Sequence, residues 1–257
     1  MINHAISWNV NGLRALHRHE LFLSFLQSER PDIVCLQEIK SLEEQLPPEL
    51  LEIDGYHAYF NSAERKGYSG VAIYSKQEPL NIIHGLGIPE FDVEGRVITA
   101  EYATFTLMNI YYPNGQSSAE RLEYKMRFYD AFLQFADSIV KSGKNLLICG
   151  DVNTAHTESD IARPKENAKV SGFLSSERDW MDKFLSHGYS DTLRMFDSTP
   201  GIYSYWDMKS RARERDVGWR IDYFFVSDSF KPNITNASVL RDTTGSDHCP
   251  ITVDFDA

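Results

Sequence analysis

Cysteine is scarce in this 257-residue sequence, which contains only three. Cys35, Cys149 and Cys249 are odd in number, widely spaced and set in strand-like segments. That pattern is typical of reduced core thiols in a cytosolic protein and excludes a disulfide framework. No pair of cysteines or histidines has the spacing of a zinc site, and the segment HRH, residues 17–19, is interpreted as exposed helix surface.

Long apolar runs are also missing. None approaches the roughly 18 residues that a transmembrane helix needs. The opening residues, MINHAISWN, lack a basic stretch followed by an apolar one, so no secretory signal is visible. These absences predict a cytoplasmic protein with no membrane partner. A share of 42% hydrophobic residues still permits a sizeable core, and no low-complexity linker divides the chain, so residues 1–257 are predicted to form a single domain.

Positive charge is the third deficit, since the net charge is −11. This balance argues against a protein that coats itself with nucleic acid, but it leaves room for an enzyme that holds a duplex at one basic face. One candidate face is KSRARERDVGWR, Lys209 to Arg220, with five Lys or Arg against Glu214 and Asp216. An ordinary solvated loop is the alternative interpretation of this segment.

Short strand-like runs recur along the chain, with helical stretches between them. They are rich in Val, Ile, Tyr and Phe, and Gly, Pro, Asp or Ser bound most of them. The predicted strands are HAISW, DIVCLQ, HAYFN, GVAIYS, VITAEY, FTLMNIYY, NLLICG, IYSYW, IDYFFV and CPITVDF. Because they occur on both sides of a long helix, we predict an α/β fold in which two sheets form a sandwich with helices outside.

Three helices are predicted from apolar spacing and capping residues. The long helix carries one apolar stripe, made of Leu122, Met126, Tyr129, Leu133, Ala136 and Val140. In SERDWMDKFLSHG, Ser176 and Asp179 are interpreted as a capping box and Gly188 as the stop signal. A third helix is predicted from about Arg18 to Gln27.

Polar side chains stand where four predicted strands end and where two begin. The residues at strand ends are Asn9, Asn11, Glu38, Tyr111, Tyr112, Asp151 and Asn153, and those at strand starts are Asp222 and the pair Asp247 and His248. The end of one strand lies beside the start of an antiparallel neighbour, so all of these positions can meet. The sequence therefore predicts one functional site at one rim of the sandwich.

The residue types at this rim suit a hard cation and a phosphate. The oxygen donors of Glu38, Asp151 and Asp247, with Asn9 and Asn153, are of the kind that Mg²⁺ and Mn²⁺ prefer. Such an ion polarises phosphate oxygens and activates water. Asp222 and His248 are a candidate pair in which the carboxylate fixes the tautomer and favours the imidazolium. Each residue alone can equally be a turn or surface residue that satisfies the backbone. Their coincidence at one rim favours catalysis.

The segments that carry these residues are ISWNVNGLRA, CLQEIK, KGYSGVAIYSK, EGRVITAE, NIYYPNG, GDVNTAH, RPKEN…SGF, ERDWMDKFL, DVGWRIDYFFVS and GSDHCPI. In this order, and over essentially the whole chain, they resemble the exonuclease III and class II apurinic-apyrimidinic (AP) endonuclease family. The resemblance implies a four-layer α/β sandwich, with two mixed, largely antiparallel sheets packed face to face and helices on the outside. It also implies Mg²⁺-dependent cleavage of double-stranded DNA 5′ to abasic sites, with 3′-phosphodiesterase and 3′→5′ exonuclease activity and Mn²⁺ as a substitute ion.

The resemblance also assigns catalytic roles residue by residue. Glu38 matches the principal metal ligand, with Asn9, Asn11 and Asp247 beside it. Asp151 and Asn153 match the residues that orient or deprotonate the attacking water and hold the phosphate. Tyr111 matches a tyrosine that contacts the scissile phosphate, and Asp222 and His248 match the family's Asp–His pair.

Further positions are matched to the DNA. Tyr205, Trp219 and Ile221 match the lining of a pocket for the flipped-out sugar, and Asn167 matches an asparagine near the phosphate. Arg163, Lys165, Lys209, Arg211 and Arg213 are predicted to contact backbone phosphates. A monomer, associated with the nucleoid if the source is prokaryotic, is the expected form.

Two positions depart from the pattern of many relatives. Val170 stands where they carry a second asparagine, and Asn11 stands where some carry aspartate. The stretch ARPKEN…VSGF is shared with relatives that nick DNA at uracil, so uracil-directed cleavage is a further hypothesis. Two alternatives stay open: a superfamily phosphodiesterase acting on another phosphoester, and a non-catalytic module that binds damaged DNA.

Overall fold

The computed structural model describes residues 2–257 as two six-stranded sheets packed against each other, with helices on both outer faces. The strands are β1 His4–Asn9, β2 Ile33–Gln37, β3 His57–Asn61, β4 Val71–Ser75, β5 Asn81–His84, β6 Val97–Glu101, β7 Thr106–Tyr111, β8 Leu146–Asp151, β9 Tyr189–Asp191, β10 Asp222–Ser227, β11 Ile234–Val239 and β12 Ile251–Phe255. The helices are α1 Leu13–Arg18, α2 Leu21–Glu29, α3 Pro48–Leu51, α4 Pro89–Asp92, α5 Ala119–Lys141, α6 Pro164–Asn167, α7 Ser175–Ser186 and α8 Thr192–Phe196. Short 3₁₀ turns span Glu43–Gln45, Glu158–Asp160, Ala212–Arg215 and Lys231–Asn233.

The order of the strands places the same kind of pair at the centre of each sheet. The first sheet runs β11-β12-β1-β2-β4-β3 and the second runs β5-β6-β7-β8-β10-β9. In each sheet one pair is parallel, β1 with β2 and β7 with β8, and the other neighbours are antiparallel. The predicted pair of mixed, largely antiparallel sheets is therefore confirmed. The ends of the parallel strands β1, β2, β7 and β8 meet at one rim, together with the starts of their antiparallel neighbours β4, β6, β10 and β12.

Three apolar layers hold this arrangement together. Between the sheets, residues such as Cys35 and Leu147 form the central core. The outer face of the first sheet packs on α1 and α2, and that of the second sheet packs on α5 and α7. The predicted apolar stripe of α5 faces the second sheet, with Tyr129, Leu133 and Ala136 buried. No helix of residues 2–257 is long and apolar enough to cross a membrane.

Several local predictions were wrong. The predicted strand IYSYW forms only isolated bridges at Tyr205, because its backbone bonds to Trp219 and Asp247 across the rim. The helix predicted from about Arg18 to Gln27 corresponds to α2, but it begins only at Leu21, because Glu20 has a left-handed φ of 57° that separates α2 from α1. The shorter helix α1 was not predicted.

The start of α7 also differs from the prediction. Ser176 and Asp179 lie inside this helix and do not cap it. Instead, a carboxylate oxygen of Glu177 accepts a hydrogen bond from the backbone N–H of Leu174. The predicted stop is present, because α7 ends just before Gly188, whose φ of +92° is left-handed.

Candidate active site

The predicted site residues converge at the rim where the two parallel pairs end. Tyr111 and Asp151 are direct neighbours at the ends of β7 and β8, and Asp151 also pairs with Asp222 at the start of β10. Asn9 ends β1 beside the end of β2, and Glu38 follows β2 directly. His248 lies just before β12 and bridges to Tyr205. Short stretches at the ends of β1, β2, β7 and β8 and at the starts of β10 and β12 therefore supply the site.

Left-handed residues follow three of these strands. Asn11, Glu38 and Asn153 have φ values of 48°, 52° and 56°. Non-glycine residues seldom adopt this conformation, and where they do the surrounding contacts must hold it. Close packing adds a constraint before one of these turns, since a Cβ on Gly150 would lie 1.7 Å from the carbonyl oxygen of Ile110.

Together these turns surround an open cleft of about 370 Å³. Its lining consists of Glu38, Tyr111, Asn114, Gln116, Asp151, Asn153, Val170, Gly172, Tyr205, Asp207, Trp219, Ile221, Asp247 and His248. One side of the cleft is strongly acidic and the other is aromatic and apolar. A ligand with a charged group beside a less polar surface would match this division.

The acidic side fits a metal ion. Ligand atoms of Glu38, Asp151 and His248 all lie within 4.8 Å of one another. Asp247 lies nearby, with one carboxylate oxygen accepting a hydrogen bond from the Asn11 amide at 2.9 Å. The carboxylate oxygens of this set are of the kind that hard divalent cations bind.

The side chain of Asn9 directs its amide nitrogen, which cannot bind a metal ion, toward the carboxylates of the site. Its amide nitrogen donates to Glu38 at 2.8 Å and to Asp151 at 2.9 Å, so it holds the two carboxylates together. Its amide oxygen accepts from the backbone N–H of Asn11. The predicted ligand role of Asn9 would require this oxygen, so it stays a prediction.

Lys40 is a site residue that the sequence analysis missed. Its ammonium lies 2.8 Å from a carboxylate oxygen of Glu38 and donates to the amide oxygen of Asn11. Burial opposes ionisation of Glu38, but Lys40, together with the amide of Asn9, holds the pKa of that carboxyl below its usual value. Oxygen atoms of Glu38 and Asn11 thus bind a positive charge, that of the Lys40 ammonium, at this point of the site.

The predicted Asp–His pair is formed. The Nδ1 atom of His248 lies 2.8 Å from Asp222 Oδ2, which also accepts a hydrogen bond from the Ser204 hydroxyl at 2.6 Å. The other ring nitrogen faces Asp151 at 3.8 Å. Burial alone would lower the pKa of His248, but the carboxylates of Asp222 and Asp151 raise it to about 10. His248 is therefore an imidazolium at neutral pH, with one N–H directed toward the cleft.

The surroundings of Asp151 disfavour the charged form of its side chain, whereas those of His248 favour the charged form. Burial raises the pKa of its carboxyl to about 7, and the negative charges of Asp222 and Glu38 act in the same direction. The His248 imidazolium opposes them. A carboxylate with a pKa in this range can accept a proton near neutral pH, as a general base must.

This raised pKa predicts a pH-dependent difference in stability when Asp151 is changed to Asn. The carboxyl ionises near 3.8 in the unfolded chain and near 7 in the folded one, so wild-type stability falls as pH rises through that range. The amide cannot ionise and escapes this loss. In thermal unfolding with EDTA, the Tm of Asp151→Asn minus that of wild type should grow by about 5 °C or more between pH 5 and pH 8. A constant difference would show that Asp151 is not destabilised by ionisation.

Tyr111 is a hydrogen-bond donor at the same rim. Burial and the charge of Glu38 raise the pKa of its phenol well above the ordinary value, so the hydroxyl keeps its proton. The guanidinium of the buried Arg96 lies 4.6 Å from the centre of the tyrosine ring and donates to its backbone carbonyl oxygen at 2.9 Å. The tyrosine is thus held rigidly beside Glu38 and Asp151.

The apolar side of the cleft contains the three residues predicted for the sugar pocket. Tyr205, Trp219 and Ile221 all line it, backed by the buried Ile161 and Phe173. Tyr205 and Trp219 are joined through their backbones at 2.9 Å in both directions. The ring of Tyr205 lies 4.8 Å from that of His248, so this wall directly adjoins the acidic side.

The remaining predicted DNA contacts lie outside the cleft. Arg163, Lys165, Lys209 and Arg211 are exposed. Asn167 donates to the backbone of Ala162 and Arg163 within its own loop. Arg213 packs its guanidinium 4.8 Å from the Trp206 ring and donates to the carbonyl oxygens of Arg241 and Thr243, so it shapes the loop before β10.

Sequence reasoning missed other polar residues of the cleft. Asn114 donates to the side-chain oxygen of Asn153 at 3.0 Å, and Gln116 lies beside it. A neighbouring groove is lined by Arg14, His17, Arg18 and Lys40, which gives the acidic site a basic border. The motifs NGLRA and YYPNG contain Arg14 and Asn114, but nothing in their spacing alone shows which side chains face the rim.

Comparison with known proteins identifies the family. The model of the endonuclease/exonuclease/phosphatase family matches residues 6–248. An exodeoxyribonuclease of Bacillus subtilis (strain 168) is 46% identical over 247 residues, covering 96% of both chains. An AP endonuclease structure from Archaeoglobus fulgidus superposes with a TM-score of 0.90 at 28% identity, covering all of both chains. A 3′ phosphatase from Neisseria, bound to a product DNA hairpin, has the same TM-score and identity over 99% of this chain and all of its own. The chain therefore belongs to the endonuclease/exonuclease/phosphatase family, in its exodeoxyribonuclease and AP endonuclease branch.

Proposed function

We propose that the protein is a Mg²⁺-dependent DNA repair phosphodiesterase that cleaves the backbone 5′ to abasic sites. The observation that carries this proposal is the convergence of Glu38, Asp151 and His248 within 4.8 Å beside the aromatic wall of Tyr205 and Trp219. The acidic side suits the reacting phosphate and its cation. The aromatic side suits an extruded sugar that has lost its base.

The proposed reaction is in-line attack of water on phosphorus. Asp151 accepts the proton of the water, and Asn153 orients that water. The bond from phosphorus to the 3′-oxygen breaks, and the leaving oxygen takes a proton from solvent to become a 3′-hydroxyl. His248 and Tyr111 each direct an N–H or O–H at phosphate oxygens as charge accumulates there. A divalent cation held by Glu38, with Asp247 and Asn11 nearby, would supply charge stabilisation for the phosphate and the leaving oxygen.

The relatives' names support a range of DNA substrates. They are called exodeoxyribonuclease, AP endonuclease and 3′ phosphatase, the last bound to DNA. We therefore propose 3′-phosphodiesterase and 3′→5′ exonuclease activities at the same site. Uracil-directed cleavage rests on ARPKEN…VSGF alone, and failure to cut a uracil-containing duplex that is otherwise identical to a cleaved abasic one would remove it. A single cytoplasmic domain acting as a monomer is the proposed form.

The experiment that tests the function uses a 5′-labelled duplex containing one tetrahydrofuran abasic analogue, incubated in Mg²⁺ or in EDTA. The expected result is a single cut directly 5′ to the analogue, in Mg²⁺ only. Binding without any cut in either condition would favour a damage-binding module. Cleavage of a simple phosphoester but not of DNA would favour another phosphodiesterase of the superfamily.

The salt dependence of duplex binding should show whether the exposed residues Lys209 and Arg211 contact DNA phosphates. Each phosphate contact contributes a slope of about −0.9 in log K against log salt concentration. Lys209→Ala and Arg211→Ala should each reduce the slope for duplex binding by about one such unit. The control is Lys231→Ala, since Lys231 is exposed at the opposite rim. Unchanged slopes in both loop variants would exclude these contacts.

A further inference from the structure

A fully buried ion pair, used in no step of the proposed reaction, lies beneath the cleft. Lys125 of α5 and Glu177 of α7 meet at 2.6 Å, and both side chains are 0% exposed. Charged residues of this kind are almost never fully buried unless they are paired. The partners of each member show what the pair holds in place.

Lys125 uses all three of its ammonium protons. It donates to Glu177 at 2.6 Å, to the backbone carbonyl oxygen of Asn153 at 2.7 Å and to the Thr154 hydroxyl at 2.9 Å. Two of these three bonds therefore end in the turn that follows β8. That turn contains Asn153 in its left-handed conformation, which needs such external support.

Glu177 holds the opposite wall of the cleft. One carboxylate oxygen accepts from Lys125 and from the Ser171 hydroxyl, at 2.8 Å for the latter. The other accepts from the backbone N–H groups of Gly172 and Leu174, at 2.6 and 3.1 Å. The segment 171–174 is therefore tied to this one carboxylate at three points.

The two tethered segments touch each other beside the proposed sugar pocket. A Cβ on Gly172 would lie 3.0 Å from the Trp219 ring and 3.3 Å from the backbone oxygen of Asn153. The N–H of Ala155 also donates to the Gly172 carbonyl at 2.8 Å. A shift of either segment therefore changes the distance between the aromatic wall and the catalytic turn.

Stability alone does not account for such a pair. Replacing a buried ion pair by neutral residues of similar volume is often neutral or stabilising, because desolvation offsets the attraction. What neutral residues cannot reproduce is the three hydrogen bonds that Lys125 donates together with the four that Glu177 accepts. The geometry of the bonds is therefore the property that this pair adds.

We propose that Lys125 and Glu177 are positioning residues, which set the separation between the Asn153 turn and the Gly172–Trp219 wall and so the fit of the nucleotide between them. The catalytic part of this inference rests on the proposed function. The geometric part does not, because the position of Trp219 can be observed without DNA. Different measurements can therefore contradict the catalytic part and the geometric part.

The test compares two double variants that each neutralise a pair between α5 and α7. Lys125→Met/Glu177→Gln removes the buried pair without leaving a lone charge. Asp130→Asn/Lys183→Met is the matched control, since these residues form an exposed pair of 2.8 Å between the same helices. In the control, Asn can still accept the indole N–H of Trp180.

On the abasic duplex, kcat of Lys125→Met/Glu177→Gln should fall on the order of 10²-fold, as for a catalytic group misplaced by about 1 Å. KM should stay within about threefold, because the basic surface that binds the duplex is untouched. The control pair should keep both values. Wild-type kcat in the first variant, or an equal loss in the control, would overturn the proposal.

Tryptophan fluorescence gives a readout independent of DNA. Trp8, Trp180 and Trp206 are at most 5% exposed, whereas Trp219 is only half-buried, so acrylamide should quench mainly Trp219. Loosening the wall should raise the quenching constant in Lys125→Met/Glu177→Gln, and Trp219→Phe should abolish that rise. Unchanged quenching would overturn the geometric part even if wild type cuts no DNA.

A milder variant covers the case in which the double variant does not fold. Thr154→Val removes one acceptor of Lys125, together with the hydrogen bond between the Thr154 and Tyr129 hydroxyls, with little change in volume. It should lower kcat and raise quenching in the same directions but by less. If neither quantity changes in Thr154→Val, the Lys125 bond to this turn does not position it.

Discussion

Asp151→Asn should lower turnover on the abasic duplex by about 10²–10³ or more, the cost of losing one positioned transition-state group. The amide keeps an acceptor for the Asn153 backbone N–H, which bonds Asp151 Oδ1 at 2.8 Å, so the turn should survive. What it loses is the ability to take a proton from water. The measurement is single-turnover cleavage at saturating enzyme, with duplex affinity determined in parallel.

Affinity for DNA should change little in this variant, since it removes no positive charge. The control is Asp182→Asn, a 72% exposed side chain paired with His156 away from the cleft, which should cleave at the wild-type rate. Near-normal turnover of Asp151→Asn would refute its role as base.

Removal of divalent metal should abolish cleavage altogether. Glu38, Asp151 and Asp247 place several negative charges at one rim, and an approaching phosphate would be repelled without a compensating cation. Cleavage in EDTA should therefore fall to the level of buffer alone and return when Mg²⁺ is added in excess. Persistent cutting in EDTA would exclude the metal-assisted reaction.

Glu38→Gln should raise the Mg²⁺ concentration needed for half-maximal rate by at least about tenfold, in the range seen when support for a metal site is lost. A cation binds a neutral amide more weakly than a carboxylate, and Lys40 would lose its ion-pair partner. Glu43→Gln, in the exposed 3₁₀ turn after β2, is the matched control. An unchanged Mg²⁺ requirement would mean that Glu38 does not hold the ion.

The rim could be predicted because its residues follow strands with strong local patterns. Runs such as LLICGD are buried on both faces, so their length and polar ends are visible in the sequence. Three of the four edge strands gave no such signal, the exception being β3. Asn81–His84, Tyr189–Asp191 and Ile234–Val239 were missed. Each lies at the edge of a sheet with only one paired neighbour, and none has a continuous buried run.

Side-chain direction was the other limit. Pattern reasoning placed Asn9 at the site, but its orientation depends on a backbone N–H two residues later and on carboxylates from β2 and β8. Similarly, nothing local distinguishes Glu177 inside α7 from an ordinary exposed glutamate. Its burial depends on Lys125, which lies 52 residues earlier. Such contacts are tertiary and no propensity encodes them.

The pairing of β1 with β12 has a consequence for synthesis on the ribosome. His4 pairs with Asp254, so β1 remains unpaired on this side until β12 has been synthesised. At about 5–20 residues per second, the chain between them takes on the order of 10–50 s to make. During that time β1 has one open edge, and Asp247 and His248 do not yet exist. A partly made chain therefore has no competent site, and it presents a strand edge to which another unfinished chain can pair.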